Sequence, residues 1–329
     1  MDSFKTSASG VFPAILRRPS PGARSRTMHS LTHRKLLSPK DLATAIGASE
    51  SSLKRWTDQG LLQVTRTAGG HRRIAVTEAV RFVRAHGYPL VNPEILGLPA
   101  SLGEETKIQS GGSELTDSVF SELLRTGHDV GARNHILTRF MKGETIARLV
   151  DGPIREAMKS LGELWRDGPE GIFLEHRATE ISSQLLSDLR NLVLPEKPIA
   201  RALGGAIGGD PFKLAPLAVS ATLSECGIQT VNLGADTPIE VLEIASLGDV
   251  VEERPQIVWI SVSSVSCPDA ASEAVRRFAE RCADASIMLL VGGRECHRLG
   301  LTEARGVVSH ESLEALAREI PLRFQATSN

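Results

Sequence analysis

Thr65-Arg66-Thr67-Ala68-Gly69-Gly70-His71-Arg72-Arg73-Ile74 decides the fold of the first third of the chain. Two short β-like runs flank Ala68-Gly69-Gly70, which reads as a hairpin. Its glycines permit positive φ and let the tip lie close to a phosphate backbone. Arg66, His71, Arg72 and Arg73 supply the charge. Upstream, Leu37-Ser38-Pro39-Lys40-Asp41-Leu42-Ala43-Thr44-Ala45-Ile46-Gly47 reads as a helix capped by Ser38, with Pro39 at its first position and a tight turn at its end. Ala48-Ser49-Glu50-Ser51-Ser52-Leu53-Lys54-Arg55-Trp56 starts a second helix, again with a serine cap, which ends at Gly60. Short polar residues such as Ser51 and Ser52 line its front, where a recognition helix meets base edges. Helix, turn, helix and basic hairpin in this order predict a winged DNA-binding module.

Charge follows the same division. Residues 1–99 hold 15 Lys+Arg against 6 Asp+Glu, while the remainder holds 23 against 33. A basic head on an acidic body suits electrostatic DNA binding by one end. The four cysteines, Cys226, Cys267, Cys282 and Cys296, form no Cys-x-x-Cys pair. They point to a reducing compartment with neither zinc nor a disulfide framework. No apolar run is long enough to span a membrane. The expected location is the cytoplasm. Residues 1–30, rich in Ser, Arg and Pro with few acids, share a pattern with disordered arms and some transit peptides, and are read as a disordered basic tail.

Punctuation sets the remaining boundaries. The module is expected over 31–87, with a short helix over 77–86. A linker follows over 88–113, where prolines and glycines interrupt any period. Helical patterns over 115–125, 130–142, 144–165 and 172–194 predict an antiparallel bundle spanning 114–194. From 195 to 321, β-like runs at 199–207, 228–233, 257–262 and 287–291 alternate with helical ones near 212–226, 238–247, 269–282 and 311–320. That alternation predicts a parallel sheet wrapped by helices, whose ligands bind at the carboxyl ends of the strands. A tail is expected over 322–329. The expected fold class is multidomain α/β: a winged helix-turn-helix, then a four-helix bundle, then a doubly wound parallel sheet of flavodoxin or Rossmann type.

The stretch from Leu53-Lys54-Arg55-Trp56 through Gly60-Leu61-Leu62 to Ala68-Gly69-Gly70-His71-Arg72-Arg73 resembles the MerR superfamily, in the branch that pairs this module with cobalamin-binding domains. The resemblance implies contact with double-stranded promoter DNA through Lys54, Arg55, Arg66, His71, Arg72 and Arg73. Many members end in a long dimerising coiled coil, and no sustained heptads occur here. A dimer or tetramer must therefore be built elsewhere in the chain.

A second resemblance lies in the expected bundle. Leu161-Gly162-Glu163-Leu164-Trp165, followed after nine residues by Glu175-His176-Arg177-Ala178-Thr179, looks like the helical cap of CarH/LitR-like light-responsive repressors. It implies that Trp165 and Glu175 cover the upper face of adenosylcobalamin, with His176 completing the motif. An indole can pack on a ligand's apolar face while a carboxylate accepts hydrogen bonds from a sugar or amine. Arg166 stands where those photoreceptors carry a His after the Trp.

The expected sheet domain keeps part of the family pattern. Cobalamin domains that bind the cofactor with its own base displaced carry Asp-x-His-x-x-Gly after the first strand, and that His ligates cobalt from below. Here the run is Asp210-Pro211-Phe212-Lys213-Leu214-Ala215. Asp210 matches, but Phe212 replaces the His and has no lone pair to give a metal. Ser261-Val262-Ser263 stands at the Ser-x-Leu position that lines the nucleotide-tail pocket, and Gly292-Gly293 keeps the paired glycines.

These features define a DNA-binding transcriptional regulator, a repressor by resemblance, with a cobalamin-domain-like sensor or oligomerisation module and no His-ligated cobalamin. The alternatives are an adenosylcobalamin photoreceptor that binds base-on or with unusual ligation through His176 or His297, a sensor of a bilin or other flat tetrapyrrole, and a ligand-free scaffold. A cobalamin-dependent enzyme would need a substrate barrel, and no residues remain to build one.

Overall fold

Ser38 and Ser49 determine where the chain first becomes helical in the computed structural model, which describes residues 36–102, 117–248, 253–301 and 304–325. In α1 (Pro39–Ile46), Ser38 Oγ accepts from the Asp41 amide while Asp41 Oδ2 accepts from the Ser38 amide, a reciprocal capping box. Gly47 ends α1 at φ 66°, and a Cβ there would also meet Val91 at 3.0 Å. Ser49 caps α2 (Glu50–Asp58) by accepting from the Ser52 amide. Strands β1 (Leu36–Leu37), β2 (Thr65–Arg66) and β3 (Arg72–Ala75) form an antiparallel sheet with β3 in the centre. The β2–β3 hairpin closes with the Thr67 amide donating to the His71 carbonyl, and Gly70 takes φ 79°. Helix α3 (Val76–His86) follows directly, and its Phe82 packs 5.2 Å from the Trp56 ring.

The expected linker is different over its described part. Residues 88–102 fold back on α1: the Val91 and Asn92 amides both donate to the Ala45 carbonyl. Leu90, Leu96, Leu98 and Leu102 are buried. Pro89, Pro93 and Pro99 hide any helical or strand period, yet the leucines between them anchor an irregular segment to the core. Residues 103–113 of that expected linker, and the expected tail 1–30, lie outside the described residues.

Four helical passes follow. They are α4 (Asp117–Thr126), α5 (Asp129–Met141), a broken third pass, and α8 (Pro169–Leu192). The third pass, expected as one helix over 144–165, is α6 (Ile146–Leu149), a wide turn Val150–Ile154, and α7 (Arg155–Glu163) with a short 3-10 turn, Leu164–Asp167. Gly152 leaves helical geometry at φ −96°, ψ −107°, and Pro153 cannot donate a helical hydrogen bond. One apolar cluster runs from Leu37 and Phe82 through Leu98, Phe120, Phe140 and Leu185 to Ala221. All described residues fall within a single contact unit, Lys35–Asn329.

The sheet that follows is wholly parallel, with strands β4 (Ala200–Ala206), β5 (Ile228–Asn232), β6 (Ile257–Ser261), β7 (Met288–Gly292) and β8 (Val307–Val308). Their order is β5-β4-β6-β7-β8. The connecting helices are α9 (Leu214–Glu225), α10 (Ile239–Leu247), α11 (Pro268–Asp284) and α12 (Leu313–Gln325). Successive side chains of β6 point to opposite faces: Val258 and Ile260 join Leu242 and Phe278, while Ile257 and Trp259 join Leu223 and Ile320. Gly204 faces Trp259 so closely that a Cβ would lie 2.1 Å from its carbonyl oxygen. β8 was not expected from the sequence, and α12 runs past 321 to Gln325. The chain winds outward in one direction from β4 to β5 and in the other from β6 onward. The topological switch point therefore lies between the carboxyl ends of β4 and β6.

Candidate functional site

Two regions carry the expected site residues. On the basic module, Lys54 and Arg55 project from α2, Arg66 from β2 and His71 from the turn, and all four are exposed. Among the described residues, none of the four side chains has an ion-pair or hydrogen-bond partner. Arg73 is half-buried beside the Arg72 carbonyl. Three of the expected residues bond within the module. The Arg72 guanidinium, 24% exposed, donates to Thr57 Oγ1 at 2.6 Å and to Asp58 Oδ1 at 2.7 Å, at the end of α2. The hydroxyls of Ser51 and Ser52 lie 2.8 and 2.9 Å from Ser49 Oγ, at the cap of α2.

Sequence reading missed Glu78 and Arg81. Glu78 is buried and accepts from the Gln63 amide at 2.7 Å, while Arg81 pairs with Glu78 and donates to the Leu61 carbonyl. Together they hold the segment leading into β2. That hydrogen bond to Glu78 raises the Arg81 pKa above its ordinary value. Arg84, also on α3, joins this module to the rest. It donates to the Phe140 and Glu144 carbonyls and to Glu225 Oε1, and lies 3.7 Å above the Phe140 ring. No periodicity signals such a junction, because its partners are 56 to 141 residues away.

At the switch point, Asp210 is fully buried. Its Oδ2 accepts from the Ser263 and Ser264 amides at 2.6 and 3.2 Å, and its Oδ1 accepts from the Phe212 amide at 3.0 Å. Asp210 therefore ties the loop after β4 to the loop after β6. Ser261 is buried at the end of β6. Ser263 offers its amide to Asp210 and its carbonyl to Arg294 at 3.0 Å. Gly292 ends β7, and Gly293 takes φ 116°, where a Cβ would meet the Val262 carbonyl oxygen at 2.5 Å. Phe212 is 42% exposed, with the Arg294 guanidinium 5.7 Å from its ring centroid. Lys213 pairs with Glu180 of α8.

The expected cap residues lie on the bundle. Glu175 Oε1 accepts from Thr179 Oγ1 at 2.8 Å, and His176 Nε2 lies 3.6 Å from Glu175 Oε2 with its ring in solvent. Trp165 belongs to the 3-10 turn Leu164–Asp167, and its side chain lies outside the described residues. Cavities of about 440 and about 410 Å³ open away from the switch point. Asp117, Arg139 and Asp151 line the first, and Gln256, Met288 and Phe324 the second.

Imidazole-ligated cobalamin does not fit this edge. Phe212 offers no nitrogen, the neighbouring Asp210 carboxylate is engaged by three amides, and the Arg294 guanidinium lies 5.7 Å from the Phe212 ring centroid. Among the described residues no cluster of His, Cys, Asp and Glu could hold a metal ion. Burial pushes the Cys226 and Cys282 thiols up to about 12, which keeps both protonated. No helix among the described residues is long and apolar enough to cross a membrane.

No family model and no curated protein matches the chain. Among solved structures, the chain is similar to the monomethylamine corrinoid protein of Methanosarcina barkeri, at 14% identity over 63% of this chain and 96% of that one, with a TM-score of 0.47. It is also similar to the methanol:cobalamin methyltransferase complex from the same organism, at 17% identity over 64% of this chain and 79% of that one, with a TM-score of 0.33. A cobalamin-binding protein from Desulfitobacterium hafniense DCB-2 matches at 18% identity over 64% and 99%, with a TM-score of 0.31. These likenesses assign neither ligand nor reaction to this chain.

Proposed function

We propose that the protein is a DNA-binding transcriptional regulator and not an enzyme. In this reading residues 36–86 form a winged helix-turn-helix, and the bundle and parallel sheet form a regulatory or oligomerising body. The observation that carries the reading is the exposed set Lys54, Arg55, Arg66 and His71, grouped on one helix and one hairpin, whose side chains have no ion-pair or hydrogen-bond partner among the described residues. Phosphate contacts of this kind supply affinity and position the protein, while base edges supply specificity. The active form is a dimer or tetramer on repeated half-sites about one helical turn apart.

The body, in this proposal, does not hold cobalamin through a lower imidazole. Any ligand it takes sits between α8 and the carboxyl edge of the sheet, next to Glu175 and Phe212. It shifts the regulator only by binding one assembly better than the other.

The test is fluorescence anisotropy of labelled duplex DNA titrated with the full chain at several salt concentrations. A binding constant that falls steeply with salt is the expected outcome, and affinity indifferent to salt overturns the reading. Absorption spectra after incubation with adenosylcobalamin or biliverdin, then desalting, address the body. Retained corrin colour that changes on illumination would favour a photoreceptor, and retained bilin colour a different tetrapyrrole sensor.

A further inference from the structure

Four charged side chains hold the hairpin from its two ends. Where the chain leads into β2, buried Glu78 takes the Gln63 amide, and Arg81 takes the Leu61 carbonyl while pairing with Glu78. On the returning strand, Arg72 crosses to α2 and donates to Thr57 Oγ1 and Asp58 Oδ1. Thr57 is itself fixed, because its hydroxyl donates to the Lys54 carbonyl at 2.7 Å. Arg72 is only 24% exposed, whereas Arg66, its cross-strand partner, lies in solvent.

We propose that Arg72 and Asp58 are a positioning pair that sets the angle of the hairpin against α2, so that Arg72 serves DNA binding through geometry and not through a phosphate contact. The inference rests on the DNA-binding reading above. It divides the hairpin's cations into two kinds. Arg66 meets the phosphate backbone, whereas Arg72 holds in place the strand that carries Arg73 and the turn that carries His71. It also gives an acidic residue, Asp58, a favourable role in binding a polyanion.

That last consequence makes the sign of one experiment decisive. Asp58 lies at the carboxyl end of α2, where an acid is disfavoured by the helix dipole. Asp58→Ala therefore removes a negative charge both from a DNA-facing surface and from an unfavourable helix position. On charge alone it would tighten binding.

The experiment is anisotropy with a fixed duplex across a salt series, on the full chain and its Asp58→Ala, Arg72→Ala, double Asp58→Ala/Arg72→Ala and Arg66→Ala variants. Circular dichroism checks that each is folded. Asp58→Ala and Arg72→Ala should each weaken binding about two- to fivefold, the range of one exposed ion pair. Both should keep the wild-type salt slope, and the double variant should lose no more than either single one. Arg66→Ala should reduce the slope by about one unit. Tighter binding by Asp58→Ala, or a slope reduced by Arg72→Ala as much as by Arg66→Ala, overturns the pair.

Hydrogen exchange at the Thr67 and Gly70 amides, which close the hairpin, reads the brace without DNA. Faster exchange in Asp58→Ala is expected, and unchanged exchange overturns the proposal. If the wild-type chain binds no duplex while exchange still responds, the DNA-binding reading fails and the brace stands as a purely structural one.

Discussion

At the hairpin end of the molecule, Lys54, Arg55 and Arg66 stand in solvent with no partner among the described residues. At the carboxyl edge of the parallel sheet, Asp210 binds three amides, Arg294 bonds Ser263, Lys213 pairs with Glu180, and Glu295 takes both Arg298 and the Val265 amide. Both regions are rich in polar side chains, and both coincide with the motifs that stand out in the sequence. They differ in what remains available. Charges left unpaired on an exposed surface keep their hydration and can exchange it for an external partner. Charges already bonded to backbone amides would have to break those bonds first, and a buried amide left without an acceptor is costly. The contrast fits the proposed function, in which the hairpin meets DNA while the polar groups of the carboxyl edge first hold its loops together.

The strongest test of that contrast is Asp210→Ala. Removing the carboxylate leaves the Ser263, Ser264 and Phe212 amides without their acceptor. A loss of about 4 kcal/mol in stability toward denaturant is expected, since hydrogen bonds to a charged group are worth more than neutral ones. Asp210→Asn, which keeps one acceptor oxygen, should lose less than half as much. A loss below about 1 kcal/mol for the alanine variant would mean that the edge is not braced as described, and that Asp210 is available to a ligand.

Acid provides the next test, on the body alone. His135 of α5 is buried, and burial first, then the Arg139 charge, push its pKa down to about 4, opposed by Asp117 and Glu144. The folded chain keeps this imidazole neutral, while the unfolded chain protonates it near its ordinary value of 6.5. Stability from this group is therefore intact above the unfolded value and is lost as pH falls from about 6.5 to about 4. The loss between pH 7 and pH 4 should be on the order of 3 kcal/mol. His135→Leu should flatten that part of the profile in denaturant titrations at stepped pH. An equal slope in wild type and variant would show that other groups dominate the acid response.

On the hairpin side, Arg55→Ala combined with Arg66→Ala should reduce the salt slope of duplex binding by about two units and weaken binding on the order of tenfold at moderate salt. Thermal stability should hardly change, because neither side chain has a partner among the described residues. A stability loss comparable to that of Asp210→Ala would erase the distinction between the two regions.

How much of this was legible in the sequence depended on how local each cause was. Ser38, Ser49, Gly47 and the Gly70 turn act within four residues, and each was readable from the chain. The apolar runs of β6 and β7 were equally plain, because a strand buried on both faces is apolar throughout, whereas the edge strand β5 alternates buried and exposed residues. β8 escaped notice because Val307–Val308 is too short to carry a period. The break at Gly152 and Pro153 was hidden inside a stretch whose apolar spacing continues on either side. Arg72 is the most instructive case. A basic residue in a basic hairpin reads as a DNA contact, and only the fold brings Thr57 and Asp58 within reach, 15 and 14 residues away. The Asp210 contacts were hidden in the same way, since two of its amide partners lie 53 and 54 residues further on. Motifs reveal which residue types occur together, and tertiary contacts decide whether those residues face outward.

Phe212 should give the smallest effect and the sharpest reading of the edge. Its ring is 42% exposed, with the Arg294 guanidinium 5.7 Å from its centroid. In the isolated chain, Phe212→Ala should change stability by no more than about 0.5 kcal/mol, as for other surface sites. The measurement is worth making on protein purified from its own cells as well as on refolded protein. If the two preparations agree, the ring is a lone exposed aromatic of the kind that needs no partner. If the native preparation loses well over 1 kcal/mol while the refolded one does not, something acquired in the cell covers the ring. The carboxyl edge would then join the hairpin as a surface with a partner of its own.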